Sequence, residues 1–170
     1  MSAIKGIDSL IKKLNKLGGD VPEALTQAVK QTAEVAAGDA RAMAPANAMS
    51  QAGGSGGGSL RQSITTDSER TGTGAEARVF TGAYHAGFVE FGFGPVGAAN
   101  HAGISPHVSP SYTTRASWVY PIVIQGEETF RTTSGQPARP YLYPAAVKNK
   151  DTFKAITRLS ILEAIRKAGG

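Results

Sequence analysis

The amino-acid sequence predicts an α+β fold, in which an antiparallel sheet packs against N-terminal and C-terminal helices and a long loop or hairpin forms an arm. Apolar residues recur at helical spacing near both ends of the chain. Between them lie short runs rich in β-branched and aromatic residues, which are typical of strands. A long aperiodic stretch rich in glycine, proline and serine interrupts these runs and indicates the arm.

Two helices are predicted in the N-terminal part of the chain. The first ends at Gly18-Gly19, and its apolar stripe consists of Ile7, Leu10, Ile11, Leu14 and Leu17. The second begins at Asp20, which precedes Glu23 by three residues as in a capping box, and it ends near Met43, before Pro45. Its predicted apolar stripe, rich in alanine, consists of Leu25, Ala28, Val29, Thr32, Val35, Ala36 and Ala40.

The middle of the chain is predicted to contain a loop followed by a sheet. Residues 46–59 are mostly glycine, serine and alanine, which predicts a mobile loop. Strands are predicted at 60–66, 75–81 and 84–91, with Gly82-Ala83 as a tight connection. They would form a sheet of three or more strands between the helices.

The second half of the chain is predicted to hold an arm, a hairpin and a last helix. Residues 93–117 show no period, and the β-type run Trp118 to Ile124 followed by Thr129 to Thr132 predicts a hairpin. A proline-stiffened corner at 137–144 leads to a helix from about Asp151. The apolar side of that helix is predicted to be Phe153, Ile156, Leu159, Leu162 and Ile165.

We expect these elements to form a single domain over residues 1–170, because a chain of this length supports one core. The predicted segments are helices at 1–45, a mobile loop at 46–59, strands at 60–92, an arm and hairpin at 93–136, and a proline corner with the C-terminal helix at 137–170.

Composition narrows the classes of function. The chain has no cysteine, which excludes disulfides, thiolate catalysis and cysteine-ligated zinc. Its net charge of +5 is spread along the sequence, so it permits contact with DNA or an acidic surface without identifying either. No apolar run approaches the roughly 20 residues of a membrane-spanning helix, and the first residues lack the features of a signal peptide. We therefore expect a soluble protein that is not exported and has no membrane partner.

Two motifs and three histidines are candidates for chemical sites. Ser55 lies in a G-x-S-x-G pattern, but both flanks are low-complexity sequence, whereas a nucleophile elbow needs a strand before the serine and a helix after it. The G-x-G-x-x-G pattern of residues 92–97 contains Pro95 and lacks the helix and the acidic residue of a dinucleotide site. The histidines, which are His85, His101 and His107, have no accompanying carboxylate cluster and are expected at the surface. We expect no enzymatic activity, no catalytic residue, no cofactor, no metal and no small-molecule substrate.

Charged residues leave two questions open. The basic residues near the C-terminus are interpreted as the solvated side of a helix, with contact to DNA as the alternative; they are Lys148, Lys150, Lys154, Arg158, Arg166 and Lys167. Glu90 and Arg139 each lie within an apolar or proline-rich block, where a charge is costly unless it is paired or solvated. They could pair, within or between subunits, or be two independent surface charges.

Several short blocks resemble a family of small neck and tail-completion proteins of long-tailed bacteriophages, whose type member is the tenth gene product of a lambdoid coliphage. The start Gly6 to Leu10 is similar to the family's G-L-D-x-L, and the helix ending Ala44-Pro45 matches its A-P ending. Gly58 to Ile64 resembles half of a D-T-G-x-L-R-x-S-I block. Val89 to Gly92 resembles the V-E-F-G block and Ala138 to Ala145 the A-R-P-F-L-R-P-A block. The glycine-rich insertion at 46–59 and the arm at 93–136 depart from compact members.

The resemblance implies a virion structural protein, made in the host bacterial cytoplasm, that forms a ring at the head–tail junction and joins the head connector to the tail. It implies a homo-oligomer of six or twelve copies, with other neck proteins and the tail terminator or tail tube as partners, and with non-specific proximity to DNA in the ring lumen. The predicted interface residues are Phe88, Glu90, Phe91, Trp118, Tyr120, Arg139, Pro140 and Tyr141. The alternatives are a tail terminator or minor tail protein and, in another class, a DNA-binding module.

Overall fold

The computed structural model describes residues 20–46, 58–72, 74–112 and 116–168. The predicted first helix with its stripe at 7–17 lies outside the described residues. So do residues 47–57, which form most of the predicted mobile loop.

Helix α1 spans Asp20–Met43, and both predicted boundaries are confirmed. Small side chains dominate its buried face, where Ala28, Ala37 and Ala40 are fully buried. The prediction was wrong for Val35, which is exposed, because the buried stripe continues through Ala33 and Ala37 on the opposite side of the turn.

Helix α2 spans Ser59–Ser63 and leads directly into strand β1, Ile64–Thr71, which pairs with strand β2, Gly74–Thr81. The predicted strand at 60–66 was wrong over its first four residues. Leu60 and Ile64 are both buried. Their four-residue separation brings them to one side of a helical turn, and the same separation also fits the alternation of a strand.

The predicted strand at 84–91 was also wrong, since helix α3 spans Ala86–Phe91 and helix α4 follows at Gly94–Ala99. In α3 the buried residues are Ala86, Val89 and Glu90, at the three- and four-residue spacing of a helix. A short apolar run such as this one cannot be assigned to helix or strand by periodicity alone. Helix α4 lies at the start of the stretch predicted to be an arm without secondary structure.

The predicted hairpin is confirmed: strand β3, Trp118–Ile124, pairs antiparallel with strand β4, Glu127–Thr133. The connecting turn consists of Gln125-Gly126, whereas the two runs identified in the sequence left all of 125–128 between them. Both residues have positive φ, 52° and 88°, as the two central positions of a type I′ turn require.

Helix α5, Leu142–Lys148, follows the proline corner, and helix α6, Lys150–Ala168, begins within one residue of the predicted position. The predicted apolar side of α6 was partly wrong. Leu159 and Leu162 are exposed, whereas Ile161 and Ala164 are buried.

The fold is mixed α+β as predicted, but within the described residues the strands form two separate two-stranded sheets and no larger sheet. The described residues group into two compact units. The first comprises 20–36, 66–72, 74–79 and 148–168, and there Ile161 and Ala164 of α6 pack with Ala24 of α1. The second comprises 37–46, 58–65, 80–112 and 116–147 and contains the fully buried Leu60, Ile64, Val89 and Tyr141. That all 170 residues form one domain stays a prediction.

No helix in the described part of the chain is long and apolar enough to cross a membrane.

Candidate functional site

The centre of the candidate site is Glu90, whose carboxylate joins two segments that are far apart in the sequence. Glu90 lies in α3 and is only 4% exposed. One carboxylate oxygen accepts hydrogen bonds from the backbone N–H groups of Tyr141 at 2.7 Å and Leu142 at 3.0 Å, and the other accepts from the N–H of Tyr143 at 3.0 Å. The V-E-F-G block and the A-R-P-Y-L-Y-P-A block therefore meet through one side chain.

This arrangement gives a hydrogen-bond acceptor to every backbone N–H group at the start of helix α5. The first N–H groups of a helix have no partner inside the helix. Here the N–H groups of residues 141–143 all bind Glu90, and the next residue, Pro144, has no N–H to satisfy. A carboxylate at a helix N-terminus is also stabilised by the helix dipole. Because three charge-assisted hydrogen bonds replace its lost hydration, Glu90 can remain buried.

Further backbone hydrogen bonds fasten the proline corner to the same region. The N–H of Arg139 donates to the carbonyl of Val89 at 2.8 Å, and the N–H of Ala138 donates to the carbonyl of Asn100 at 2.8 Å. Phe93 and Gln136 form an isolated antiparallel bridge, with N–H to O distances of 3.1 and 3.0 Å. We call residues 88–100 and 134–143, held together in this way, the clasp.

Glycine permits the close approach within the clasp. Gly92 has a φ of 74°, and a Cβ at this position would lie 2.7 Å from the amide nitrogen of Ala138 and 2.9 Å from the carbonyl oxygen of Gln136. Gly135, with a φ of 95°, would place a Cβ directly against the carbonyl of Phe93. The G-x-G-x-x-G pattern that begins at Gly92 thus has a structural explanation, because its backbone lies against another segment where side chains would collide.

Tyr141 is the largest side chain in the interior of this unit. It is fully buried, and its hydroxyl has no hydrogen-bond partner in the described structure. Burial and the nearby negative charge of Glu90 raise the pKa of Tyr141 to about 12. The ring therefore stays neutral at physiological pH and acts as a packing element.

Aromatic rings connect the clasp to the β3–β4 hairpin. Phe93 lies between Phe88 and Trp118, with ring centroids 5.5 Å and 5.8 Å apart, respectively. The hydroxyl of Tyr112 donates to the carbonyl of Phe91 at 2.8 Å, and the Tyr112 ring stacks on His101. The segment predicted to be an arm therefore begins within the clasp and contacts it again at Tyr112, and the hairpin that follows contacts it at Trp118.

The predicted interface residues all lie in or beside the clasp and the hairpin, but they differ in accessibility. Glu90 and Tyr141 are buried inside the chain, whereas Phe88 and Arg139 are exposed. Half-buried positions are occupied by Phe91, Trp118, Tyr120 and Pro140. Their assignment to a subunit interface stays a prediction.

The pairing of Glu90 with Arg139 within one subunit is not what the structure shows. The carboxylate is buried and occupied by backbone N–H groups, whereas the side chain of Arg139 is exposed. Arg139 contributes to the clasp through its backbone N–H. The sequence left open a pair with Arg139 or two independent surface charges, and within the subunit Glu90 fits neither, because it is buried and binds backbone N–H groups.

Two arginines that were not singled out from the sequence join two further segments, and we call their contacts with backbone carbonyls the Arg41–Arg61 junction. The guanidinium of Arg61 donates to the carbonyl of Ala44 at 2.6 Å, next to the C-terminal end of α1. In return, Arg41 donates two hydrogen bonds, of 3.1 and 2.7 Å, to the carbonyl of Ile64. These hydrogen bonds connect the A-P block to the L-R-Q-S-I block. The arginine within the second block is the sequence feature from which this contact could have been predicted.

The prediction that the three histidines lie at the surface was wrong for one of them. His101 and His107 are exposed as expected, but His85 is buried, and neither of its ring nitrogens has a hydrogen-bond partner among the described residues. Within those residues no group of three or more histidine, aspartate or glutamate side chains is arranged to hold a metal ion.

The comparison with protein families gave one result. A family model described as "Bacteriophage HK97-gp10, putative tail-component" matches residues 8–92, which are half of the chain. The match includes the Arg41–Arg61 junction and ends at Gly92, the last residue of the V-E-F-G block. No curated protein and no solved structure matched the chain significantly.

Proposed function

The chain belongs to the HK97-gp10-like family of bacteriophage tail components, and on that premise we propose that it is a neck or tail-completion protein that forms a ring at the head–tail junction. The family match carries this proposal. It supports a virion protein of the phage tail, and the ring and its position at the junction are the proposed refinement.

The construction of the clasp supports a structural role. A ring that joins two large assemblies must transmit force through fixed interfaces, so the segments that bear those interfaces need rigid anchorage. In this chain the hairpin is linked to the clasp by aromatic rings, and the clasp is fixed by the buried Glu90. A satisfied buried polar network specifies one geometry, because any rearrangement leaves N–H groups or a charge unpaired.

The proposed partners are further copies of this chain and the adjoining proteins of the neck, which include the tail terminator or tail tube. A ring of identical subunits uses a heterologous contact, in which two different surfaces of the same chain meet and the rotation between copies closes. We propose that the protein acts without catalysis. A hydrolase screen is expected to be blank, and turnover that disappears in Ser55→Ala would contradict this part.

Removal of the gene from the phage tests the proposed function. We expect normal heads filled with DNA and normal tails that fail to join, as separated by sedimentation and viewed by electron microscopy. Addition of the purified protein to the mixed extract should then restore infectivity. Joined particles with normal infectivity in its absence would contradict the proposal, and tails of abnormal structure would favour a tail terminator or minor tail protein instead.

A further inference from the structure

One face of the β3–β4 hairpin is apolar and uncovered. In the antiparallel register Val119 lies opposite Thr132, Pro121 opposite Phe130, and Val123 opposite Glu128, so these six side chains share one face. Val119, Val123 and Phe130 are 62%, 63% and 67% exposed. We call these six residues the hairpin face. Apolar side chains gathered in this way indicate an interaction surface.

The hairpin face carries a negative charge at one end. Glu128 lies beside Val123 near the turn and is exposed, and no ion pair engages it within the described residues. The length from Val119 to Val123 is about 13 Å, at about 3.3 Å per residue. The surface that covers it should therefore be apolar, of similar length, and positively charged at one edge.

Helix α6 offers such a surface. Ala155, Leu159 and Leu162 follow the i, i+4, i+7 spacing of one helix face, and the two leucines are 66% and 53% exposed. This stripe lies opposite the buried side of the helix, which contains Ile161 and Ala164. Its length is about 10 Å at 1.5 Å per residue. We call Ala155, Leu159 and Leu162 the α6 stripe.

A basic residue borders the α6 stripe. Arg158 is exposed next to Leu159 and Leu162, and it takes part in none of the ion pairs found in the described part of the chain. The acidic residues of α6, Asp151 and Glu163, are already paired with Lys154 and Lys167 on the same helix. The charge next to the stripe is thus opposite in sign to that of the hairpin face.

We propose that the hairpin face of one copy of this chain docks on the α6 stripe of a second copy, with Glu128 facing Arg158. The proposal rests on the proposed ring and names the contact that would build it. Two different, complementary surfaces on the same chain make a heterologous contact, which can repeat from copy to copy. Pairing of two hairpin faces would instead be an isologous contact, which closes at a dimer and leaves no surface free to continue a ring.

Cysteine cross-linking tests the contact directly, because the natural chain contains no cysteine. Full-length Phe130→Cys and Leu159→Cys proteins, distinguished by isotope labelling, are mixed at high concentration and oxidised, and the products are identified by mass spectrometry. We expect a disulfide between the two variants as the main product. Phe80→Cys replaces a similarly exposed apolar side chain, at 48%, and its mixture with Phe130→Cys is the matched control.

Charge exchange supplies a second measurement on the same contact. Glu128→Arg and Arg158→Glu should each reduce the cross-linking yield about tenfold, and mixing the two reversed chains should restore it. Arg70→Glu, at an exposed position on β1, is the charge-matched control and should change nothing.

Every other outcome overturns the proposal. Self-linked Phe130→Cys as the main product would indicate hairpin-to-hairpin pairing. An intramolecular disulfide in a chain that carries both Leu10→Cys and Leu159→Cys would mean that the N-terminal segment of the same chain covers the α6 stripe. If the virion contains multiple copies but no Phe130–Leu159 link forms, this contact fails and the proposed ring stands. If the virion contains single copies and no link forms, both fail.

Discussion

At the scale of single residues, Glu90 is the side chain that joins the two sequence blocks of the clasp. Its carboxylate accepts hydrogen bonds from three backbone N–H groups at the start of α5. No other side chain accepts from those groups in the described structure. Loss of this side chain would leave several buried donors without partners, each costing about 1–3 kcal/mol. The residue is therefore expected to be far more sensitive than an ordinary glutamate.

Glu90→Gln should lower the free energy of unfolding by about 2–4 kcal/mol, because the amide offers one acceptor oxygen and turns an NH₂ group toward an N–H donor. Urea unfolding at neutral pH measures the change. Glu127→Gln, at an exposed position on β4, is the matched control and should stay within about 0.5 kcal/mol of the natural protein. Equal effects of the two substitutions would refute the role of Glu90.

For Tyr141 we expect that removal of its polar group does not destabilise the protein at neutral pH. Its buried hydroxyl has no partner among the described residues, so Tyr141→Phe removes an unsatisfied polar group without creating a cavity. The substitution should leave the protein equally stable or stabilise it by up to about 1 kcal/mol in urea unfolding. Loss of more than about 1 kcal/mol would mean that the hydroxyl has a partner.

The same tyrosine predicts a dependence on alkaline pH. Its pKa is raised from 10.0 to about 12 in the folded protein, so above pH 10 the unfolded chain releases this proton while the folded chain retains it. Stability from this group is complete below about pH 10 and is lost as the pH rises toward 12, at about 1.4 kcal/mol per pH unit at most. Unfolding curves at several alkaline pH values should show a steeper loss for the natural protein than for Tyr141→Phe, and identical slopes would contradict this.

At the scale of elements, the clasp requires glycine at the end of α3. Gly92→Ala should destabilise the protein by at least about 2 kcal/mol, since it combines a positive φ with a Cβ 2.7 Å from the backbone of Ala138. Gly87 is the control: it lies within α3, and no atom lies within 4 Å of the position that a Cβ would take there. Gly87→Ala should therefore stabilise the helix by about 0.5–1 kcal/mol. Thermal unfolding distinguishes the two, and effects of the same sign would contradict the role given to Gly92.

The elements also show where sequence reasoning succeeds. Helix α1, the β3–β4 hairpin and helix α6 were predicted because each has a long periodic pattern, a capping signal or a dense β-type run. Helix α3 was missed because its six residues are too few to show a helical period against a strand. The length and composition of an element, more than its importance, decided whether its pattern was readable.

The site was harder to predict than the elements. The two blocks of the clasp and the unusual position of Glu90 were recognised from the sequence, but the partners of Glu90 were not. They are backbone N–H groups 51 to 53 residues away, and such groups carry no sequence signal of their own. The glycine pattern at 92–97 was likewise visible, yet its reason depends on the segment that lies against it.

At the scale of the whole molecule, the family-like blocks contact one another within the chain, and the surfaces proposed for assembly lie outside these blocks. The clasp and the Arg41–Arg61 junction consist of contacts within the chain, whereas the hairpin face and the α6 stripe are exposed. Substitutions in the first group should reduce stability, and substitutions in the second should reduce assembly without changing stability. This separation is what a ring subunit requires, because its folding and its association must both be favourable.

The number of copies in the virion tests the central claim most directly. Purified particles are digested with isotope-labelled standard peptides from this chain and from the major tail protein, and absolute amounts are measured by mass spectrometry. We expect six or twelve copies per particle, the numbers proposed for a closed ring at the head–tail junction. Absence of the chain from infectious particles, or a copy number near one, would contradict the proposed ring.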